Sequence, residues 1–120
     1  MAILSTHTLD SASGDSASNV RVQLFRVLGD GKMEMLFDAR TNQEGRLSET
    51  FESAGSPTED YELVFHSGEY LGKQNLKEEK PVMDSVVIRL NIQDFEGRYH
   101  IPLLIAPHSF TLWWSSKKED

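Results

Sequence analysis

Hydrophobic and polar residues alternate along most of the chain, and this pattern predicts β-strands. In Val20–Val27, the apolar residues at positions 20, 22 and 24 share one face, whereas positions 21 and 23 place polar residues on the other. Phe25 breaks the alternation, so we expect a bulge or an exposed aromatic ring there. Short strands at this spacing predict an all-β sandwich. The other β-rich runs are Met33–Ala39, Tyr61–His66, Ser85–Ile92, Gly97–Ile105 and Ser109–Trp114.

Turn-forming residues separate these runs. Asp30-Gly31 lies between two alternating segments, which is a strong hairpin signal. Pro107 lies between the last two runs and is expected to break the hydrogen-bond ladder. The segment Ser67–Lys80 does not alternate and is interpreted as a short helix or a long loop. Further turn clusters occupy Ser11–Asn19, Thr41–Gly45, Ala54–Asp60 and Asp94–Gly97.

Length and composition predict one folded domain. A chain of 120 residues with 38% hydrophobic residues can bury a core without cross-links. The longest apolar run, at 101–107, is too short to span a bilayer, so we expect no membrane association. The N-terminus lacks the basic and apolar regions of a signal peptide, and a cytoplasmic location is predicted.

Charge and cysteine content exclude several classes of function. The net charge is −7 and the basic residues are scattered, so nucleic acid is not an expected partner. The absence of cysteine excludes disulfides, thiolate chemistry and cysteine-ligated zinc. The chain contains no H-E-x-x-H motif, EF-hand loop, phosphate loop or nucleophile elbow, and no metal is predicted. Histidines that converge in space could still bind zinc.

The four histidines are the residues best suited to proton transfer near neutral pH. His100 shares one face of its predicted strand with Arg98, and this polar face is either solvated or lines a site. His7 lies near the end of a short β-like segment at the N-terminus. His66 follows a strand and His108 follows a proline, so both are expected in turns or at the surface.

Three segments resemble signatures of the transthyretin-like family, in particular of its 5-hydroxyisourate hydrolase branch. L-S-T-H-T-L-D-S-A-S-G at 4–14 resembles the family's L-x-x-H-V-L-D-x-x-x-G. T-N-Q-E-G-R at 41–46 resembles T-N-x-D-G-R, and Y-H-I-P-L-L-I-A-P at 99–107 resembles Y-H-V-P-L-L-L-S-P. The segments N-V-R-V-Q-L-F-R and Y-E-L-V-F-H also occupy the expected places, so the resemblance covers nearly the whole chain.

The resemblance implies a fold, an assembly and an activity. The implied fold is a two-sheet transthyretin-like β-sandwich with one short helix, with residues 1–114 as the domain and 115–120 as a polar tail. Members form homotetramers, as dimers of dimers, with active sites in a channel between the dimers. The hydrolases open the ring of 5-hydroxyisourate, the product of urate oxidation, to 2-oxo-4-hydroxy-4-carboxy-5-ureidoimidazoline. No cofactor is expected.

Carried over by motif, the catalytic residues are His7, Arg46 and His100. Hydrolysis of a ring carbonyl needs a general base that activates water, and imidazole has a suitable pKa. A guanidinium can anchor a carbonyl-rich heterocycle and stabilise the developing oxyanion. We therefore predict that the two histidines activate water and transfer protons while Arg46 anchors the substrate. Which histidine is the base stays open, and Asp10 either orients an imidazole or belongs to a turn.

The C-terminal segment departs from the family pattern. The hydrolases typically end in S-Y-S-T-Y-R-G-S, whereas 109–116 of this chain reads S-F-T-L-W-W-S-S and four charged residues follow. Trp113 and Trp114 stand where the family has tyrosine and arginine, and Ser116 aligns with the terminal serine. The resemblance thus assigns substrate binding to Thr111, Trp113 and Ser116. The tryptophans either change what the site accepts or pack at a subunit interface.

Three functions follow from these observations, each with a small heterocyclic molecule as the expected partner. The first is hydrolysis of 5-hydroxyisourate in urate degradation. The second is a paralogue with the same His/Arg/His site that acts on another heterocycle in a biosynthetic pathway. The third is a non-catalytic carrier of a small ligand. Buried histidine and arginine offer nothing to a hydrophobic ligand, which argues against the carrier, whereas Trp113-Trp114 favours it.

Overall fold

The computed structural model describes residues 1–53, 60–74 and 81–116. Along these residues the chain forms nine strands and one helix. In chain order they are β1 (Ala2–Asp10), β2 (Arg21–Val27), β3 (Met33–Arg40), β4 (Arg46–Phe51), β5 (Asp60–Phe65), α1 (Ser67–Gln74), β6 (Val86–Asn91), β7 (Arg98–His100), β8 (Leu103–Ile105) and β9 (Phe110–Leu112).

The strands form two sheets that pack face to face. One sheet has the order β4-β1-β8-β9, with β7 also pairing with β1, and the other has the order β3-β2-β5-β6. Strands β7 and β8 run parallel to β1, whereas the other pairs are antiparallel. The predicted two-sheet β-sandwich with one short helix is therefore confirmed.

The core lies between the sheets, and on strands such as β1 and β5 alternate residues supply it. On β1, Leu4 is fully buried, and on the facing sheet Leu24, Leu63 and Phe65 are fully buried. Burial of each such side chain stabilises the fold by about 1.5–3 kcal/mol. The alternation that predicted strands in the sequence is thus the alternation between core and outer face.

The N-terminal strand is longer and more central than the short β-like segment predicted from the sequence. β1 spans nine residues and pairs with β4 on one side and with β7 and β8 on the other. The prediction also missed β4, which pairs with β1 over Arg46–Phe51. β4 is an edge strand whose outer positions are polar, so its sequence carries only a weak hydrophobic signal.

The single strand predicted over Gly97–Ile105 is wrong, because the structure divides it into β7 and β8. Pro102 lies between them and has no N–H to offer a neighbouring strand. The carbonyl of Ile101 accepts a hydrogen bond of 2.6 Å from the Thr6 hydroxyl, a side-chain contact that replaces part of the ladder. β7 and β8 nevertheless keep one register along β1, since Ser5 pairs with His100 and Thr8 with Leu103.

The irregularity predicted at Phe25 is confirmed. The register between β2 and β3 shifts after Leu24, which pairs with Phe37, whereas Phe25 pairs with Met35. The extra residue, Leu36, belongs to β3 rather than to β2. The predicted hairpin between these strands is also present: the backbone N–H of residue 31 donates to the carbonyl of residue 28 at 2.9 Å.

The ambiguous segment Ser67–Lys80 begins with α1, which ends at Gln74. Glu69 in the first turn and Lys73 in the last turn complement the helix dipole. Residues 75–80, like residues 54–59 of the predicted turn Ala54–Asp60, lie outside the described residues. In the described part of the chain, no helix has the length and apolar character needed to cross a membrane.

Candidate functional site

The outer face of the first sheet carries the predicted catalytic residues. The even-numbered residues of β1 are buried, so Ser5 and His7 at odd positions point to the opposite, outer face. His7 pairs directly with Arg46 of β4, and Ser5 pairs directly with His100 of β7. Residues that pair directly share a face, and in an antiparallel pair such as His7 and Arg46 their Cβ atoms lie about 4.5–5.5 Å apart. The structure thus brings His7, Arg46 and His100 onto one face of three adjacent strands.

A shallow cleft of about 370 Å³ lies on this face. Its walls combine two guanidinium groups, an imidazole, an amide and the hydroxyl groups of Ser5 and Ser48 with apolar surface from Ile3 and Leu47. His7 is half-buried beside this cleft but does not line it. The lining residues with polar side chains that could contact a ligand include Ser5, Asn42, Arg46, Ser48, Arg98 and His100.

His100 is held by its side chain and by its backbone. Its Nδ1 lies 2.8 Å from the Ser5 hydroxyl oxygen, within hydrogen-bond distance. Its N–H donates to the carbonyl of Ser115 at 2.9 Å, and its carbonyl accepts the N–H of Ser115 at 2.8 Å. The imidazole therefore projects from a backbone that is fixed on both sides, by β1 and by the C-terminal segment.

Arg46 begins β4 directly after a tight turn. The Asn42 side-chain oxygen accepts the N–H groups of Glu44 and Arg46, both at 2.9 Å. Gly45 has a φ of 75°, and a Cβ atom there would lie 2.3 Å from the carbonyl oxygen of Thr8. Only glycine allows this turn to approach β1 so closely. The turn positions Arg46 opposite His7, while the Arg46 side chain stays exposed.

Asp10 belongs to a turn, which is one of the two roles that the sequence left open. It occupies an even position of β1, so it faces the core and not the side of His7. Its Oδ1 accepts the N–H groups of Ala12 and Ser13 at 2.9 and 3.2 Å, and its Oδ2 accepts the Tyr70 hydroxyl at 2.8 Å. Burial, together with this hydrogen bond to a carboxylate, raises the pKa of Tyr70.

The C-terminal residues divide between two places. Thr111 pairs with Leu104 on the outer face of the sheet, and Trp113 is 44% exposed just beyond it. The Trp114 ring lies 6.2 Å from the Tyr99 ring, and with Ser116 it lines a second cavity of about 1070 Å³ beside β6, β7 and the segment that joins them. Within one chain, Ser116 therefore does not lie at the cleft of His100.

The other two histidines lie away from the cleft. His66 directly follows β5 and is half-buried, with its Nε2 2.7 Å from the Gln23 side-chain oxygen. Gln23 also donates to Asp38, and a hydrogen bond from Arg21 lowers the pKa of the Asp38 carboxyl. His108 is exposed, as predicted. Across residues 1–53, 60–74 and 81–116, no three His, Cys, Asp or Glu side chains converge in a way that could hold a metal ion.

Sequence reasoning missed three polar residues of the site: Ser5, Asn42 and Ser48. Ser5 could have been found from the period of two, since it lies two residues before His7 and must share its face once β1 is extended. Ser48 was hidden because β4 was not predicted. The role of Asn42 depends on a side-chain bond to the turn, a type of contact that asparagine commonly makes.

Comparisons with known proteins identify relatives of this chain. The model of the HIUase/Transthyretin family matches residues 4–114. A Rhizobium meliloti protein named 5-hydroxyisourate hydrolase 2 is 36% identical over 115 residues, covering 94% of this chain and 95% of its own length. The structure of Klebsiella pneumoniae 5-hydroxyisourate hydrolase matches 95% of this chain and 99% of its own, with 32% identity and a TM-score of 0.73. Transthyretin from Sparus aurata shares the fold, with a TM-score of 0.80 at 20% identity over 96% of this chain and 97% of its own.

Proposed function

Because this chain belongs to the HIUase/transthyretin family, we propose that it hydrolyses 5-hydroxyisourate in urate degradation, opening the ring to 2-oxo-4-hydroxy-4-carboxy-5-ureidoimidazoline. Relatives that match it over almost their whole length carry that activity in their names. The observation that carries the proposal is the polar outer face on which His7 pairs with Arg46 beside His100.

The proposed reaction begins with a water molecule that attacks a ring carbonyl. An imidazole removes a proton from the water, and the guanidinium of Arg46 donates hydrogen bonds to the carbonyl oxygen as negative charge develops there. The ring C–N bond then breaks, and the second imidazole supplies a proton to the leaving nitrogen. His7 and His100 take these two proton-transfer roles, and their placement on the same sheet face supports this assignment.

The substrate-binding role of Thr111, Trp113 and Ser116 is part of the same proposal. Thr111 and Trp113 are exposed at the outer face, where a substrate or a second subunit could contact them. Ser116 has the least support, because within one chain it lines the second cavity. Trp113 in place of the family's tyrosine keeps an aromatic ring but loses a hydroxyl. Trp114 in place of the family's arginine removes a cation and adds apolar surface, which favours a larger or less anionic substrate.

We also propose that the chain assembles as a homotetramer, a dimer of dimers. The large exposed side chains Phe110, Trp113 and Trp114, at 47%, 44% and 62% exposure, support an interface near the C-terminal segment. The cytoplasmic location stays a prediction from the sequence.

The charged and hydrogen-bonding groups of the cleft argue against the carrier function. Its lining includes Arg46, Arg98 and His100, and a hydrophobic ligand would displace water from these groups without offering them hydrogen bonds. A different heterocycle with several carbonyl groups would still suit the same donors. An activity measurement therefore has to distinguish hydrolysis of 5-hydroxyisourate from the alternative, a paralogue that acts on another heterocycle.

The test is to generate 5-hydroxyisourate in situ from urate and to follow its decay. We expect the wild type to accelerate the decay and His100→Ala to slow the catalysed rate by about 10²–10⁴-fold, the usual contribution of general acid–base catalysis. His108→Ala is the matched control, because His108 is an exposed histidine outside the cleft. A wild-type protein that leaves the spontaneous decay unchanged would refute the proposal.

A further inference from the structure

Ser5 is not among the site residues assigned by motif, but it contacts one of them, His100. Its hydroxyl oxygen lies 2.8 Å from Nδ1 of His100, although the two residues are 95 positions apart in the chain. Its carbonyl accepts the N–H of Ile101 at 2.8 Å, which links β1 to the residue after His100. Ser5 thus contacts both the side chain of His100 and the adjacent backbone.

The backbone around this contact leaves little freedom. Ser5 and His100 pair directly between β1 and β7, and Ser115 holds the other side of His100 with two backbone hydrogen bonds. The main freedom that remains to His100 is then rotation of its imidazole about the side-chain bonds. The Ser5 hydroxyl, 2.8 Å from Nδ1, limits this rotation.

We propose that Ser5 is a positioning residue that accepts the Nδ1–H of His100, so that His100 is the general base and exchanges its proton through Nε2. This inference rests on the proposed hydrolase function. A hydrogen bond at one imidazole nitrogen sets the tautomer and thereby the chemistry of the other nitrogen. A serine hydroxyl accepts the Nδ1–H both before and after Nε2 takes a proton from water, so the contact persists through the step.

The charged groups that face His100 make the Ser5 hydroxyl more important for stabilising the protonated ring. On the outer face they come from His7 on β1, Arg46 on β4 and Arg98 on β7. Positive charge at any of these groups disfavours a protonated ring at His100. An acceptor at Nδ1 acts in the opposite direction, because it stabilises the protonated ring.

The kinetic test compares Ser5→Ala with Ser5→Thr. We expect Ser5→Ala to lower kcat about tenfold with little change in KM, which corresponds to the loss of one hydrogen bond to a charged group. The acid limb of the pH profile should also move to lower pH, because the imidazolium loses its acceptor. Ser5→Thr keeps the hydroxyl and should restore both kcat and the profile. A purely structural role would not move the acid limb.

Thr50→Ala is the matched control, since Thr50 is exposed on the same sheet face, opposite Ile3, and does not line the cleft. It should keep the wild-type kcat and pH profile. Wild-type kinetics in Ser5→Ala, or a Ser5→Thr variant as impaired as the alanine variant, would overturn the proposal.

A second measurement does not depend on the substrate. In ¹⁵N-labelled full-length protein, the imidazole nitrogen shifts report the tautomer and pKa of His100 directly. We expect neutral His100 to carry its proton on Nδ1 in the wild type, and its pKa to fall in Ser5→Ala. A neutral ring protonated on Nε2, or an unchanged pKa, would refute the role of Ser5 whatever the activity. If the protein fails to hydrolyse 5-hydroxyisourate while the tautomer is as expected, the proposed function and the role of His100 as its base are wrong, whereas the contact by which Ser5 sets the tautomer of His100 stands.

Discussion

The Tyr70 hydroxyl donates a hydrogen bond of 2.8 Å to the carboxylate of Asp10, joining residues that are 60 positions apart. Tyr70 is 8% exposed and Asp10 is 7% exposed, so their hydrogen bond is largely shielded from solvent. The other carboxylate oxygen binds the N–H groups of the turn that follows β1. This arrangement anchors α1 to the end of the strand that carries His7, and it satisfies a buried carboxylate.

Removal of that hydroxyl should destabilise the fold. We expect Tyr70→Phe to lower the free energy of unfolding by about 1.5–3 kcal/mol, because the buried carboxylate loses one partner. Tyr99→Phe is the control, since its hydroxyl bonds to the exposed Asp94 loop and should cost less than about 0.5 kcal/mol. Urea unfolding followed by circular dichroism measures both. Equal effects of the two variants would contradict this account.

The same contact predicts a loss of stability at high pH. Burial and the Asp10 carboxylate raise the pKa of Tyr70 in the folded state above its unfolded value of about 10. Below that pH both states are protonated, and above it only the unfolded state readily loses the proton. The stabilisation is therefore fully present below pH of about 10 and is lost as the pH rises further. When the pH is raised from 8 to above about 10.5, the melting temperature should fall more in the wild type than in Tyr70→Phe. Parallel curves for the two proteins would disprove the linkage.

Gly45 should tolerate no side chain. Its φ of 75° already disfavours alanine, and a Cβ atom would lie 2.3 Å from the Thr8 carbonyl oxygen. Gly31 offers a matched comparison, because its φ is 84° but a Cβ atom there meets nothing within 4 Å. We expect Gly31→Ala to cost about 1–2 kcal/mol from the backbone alone. Gly45→Ala should cost clearly more and also lower activity, because it moves Arg46. Similar unfolding free energies for both variants would show that the turn can relax.

The Ser115–His100 backbone pair should matter for activity more than for stability. Ser115→Pro removes the N–H that donates to the His100 carbonyl at 2.8 Å. We expect kcat to fall about tenfold, as for the loss of a positioning contact, while the melting temperature changes little. Ser115→Ala keeps the backbone donor and should remain within about twofold of the wild type, since exposed side chains contribute little. Full activity in the proline variant would show that His100 needs no support from the C-terminal segment.

Strands of the second sheet were predictable where apolar and polar residues alternate along the sequence. Val20–Val27 and Tyr61–His66 show this period, and both are strands in the structure. β4 was not predicted because an edge strand buries few side chains, and Phe51, at 4% exposure, is the only buried residue among Arg46–Phe51. Pro102 split the predicted strand Gly97–Ile105, an effect of one missing N–H that the hydrophobic pattern does not record.

The sequence by itself determined the sandwich, the hairpin at Asp30-Gly31 and, through its resemblance to a family, the residues His7, Arg46 and His100. Only the tertiary structure decided that Asp10 belongs to a turn and that Ser5 contacts His100. The physical reason is distance along the chain. Periodicity reports which face a residue occupies, whereas a hydrogen bond across 60 or 95 positions depends on strand register. Register is set by the packing of the whole sheet and not by any local segment.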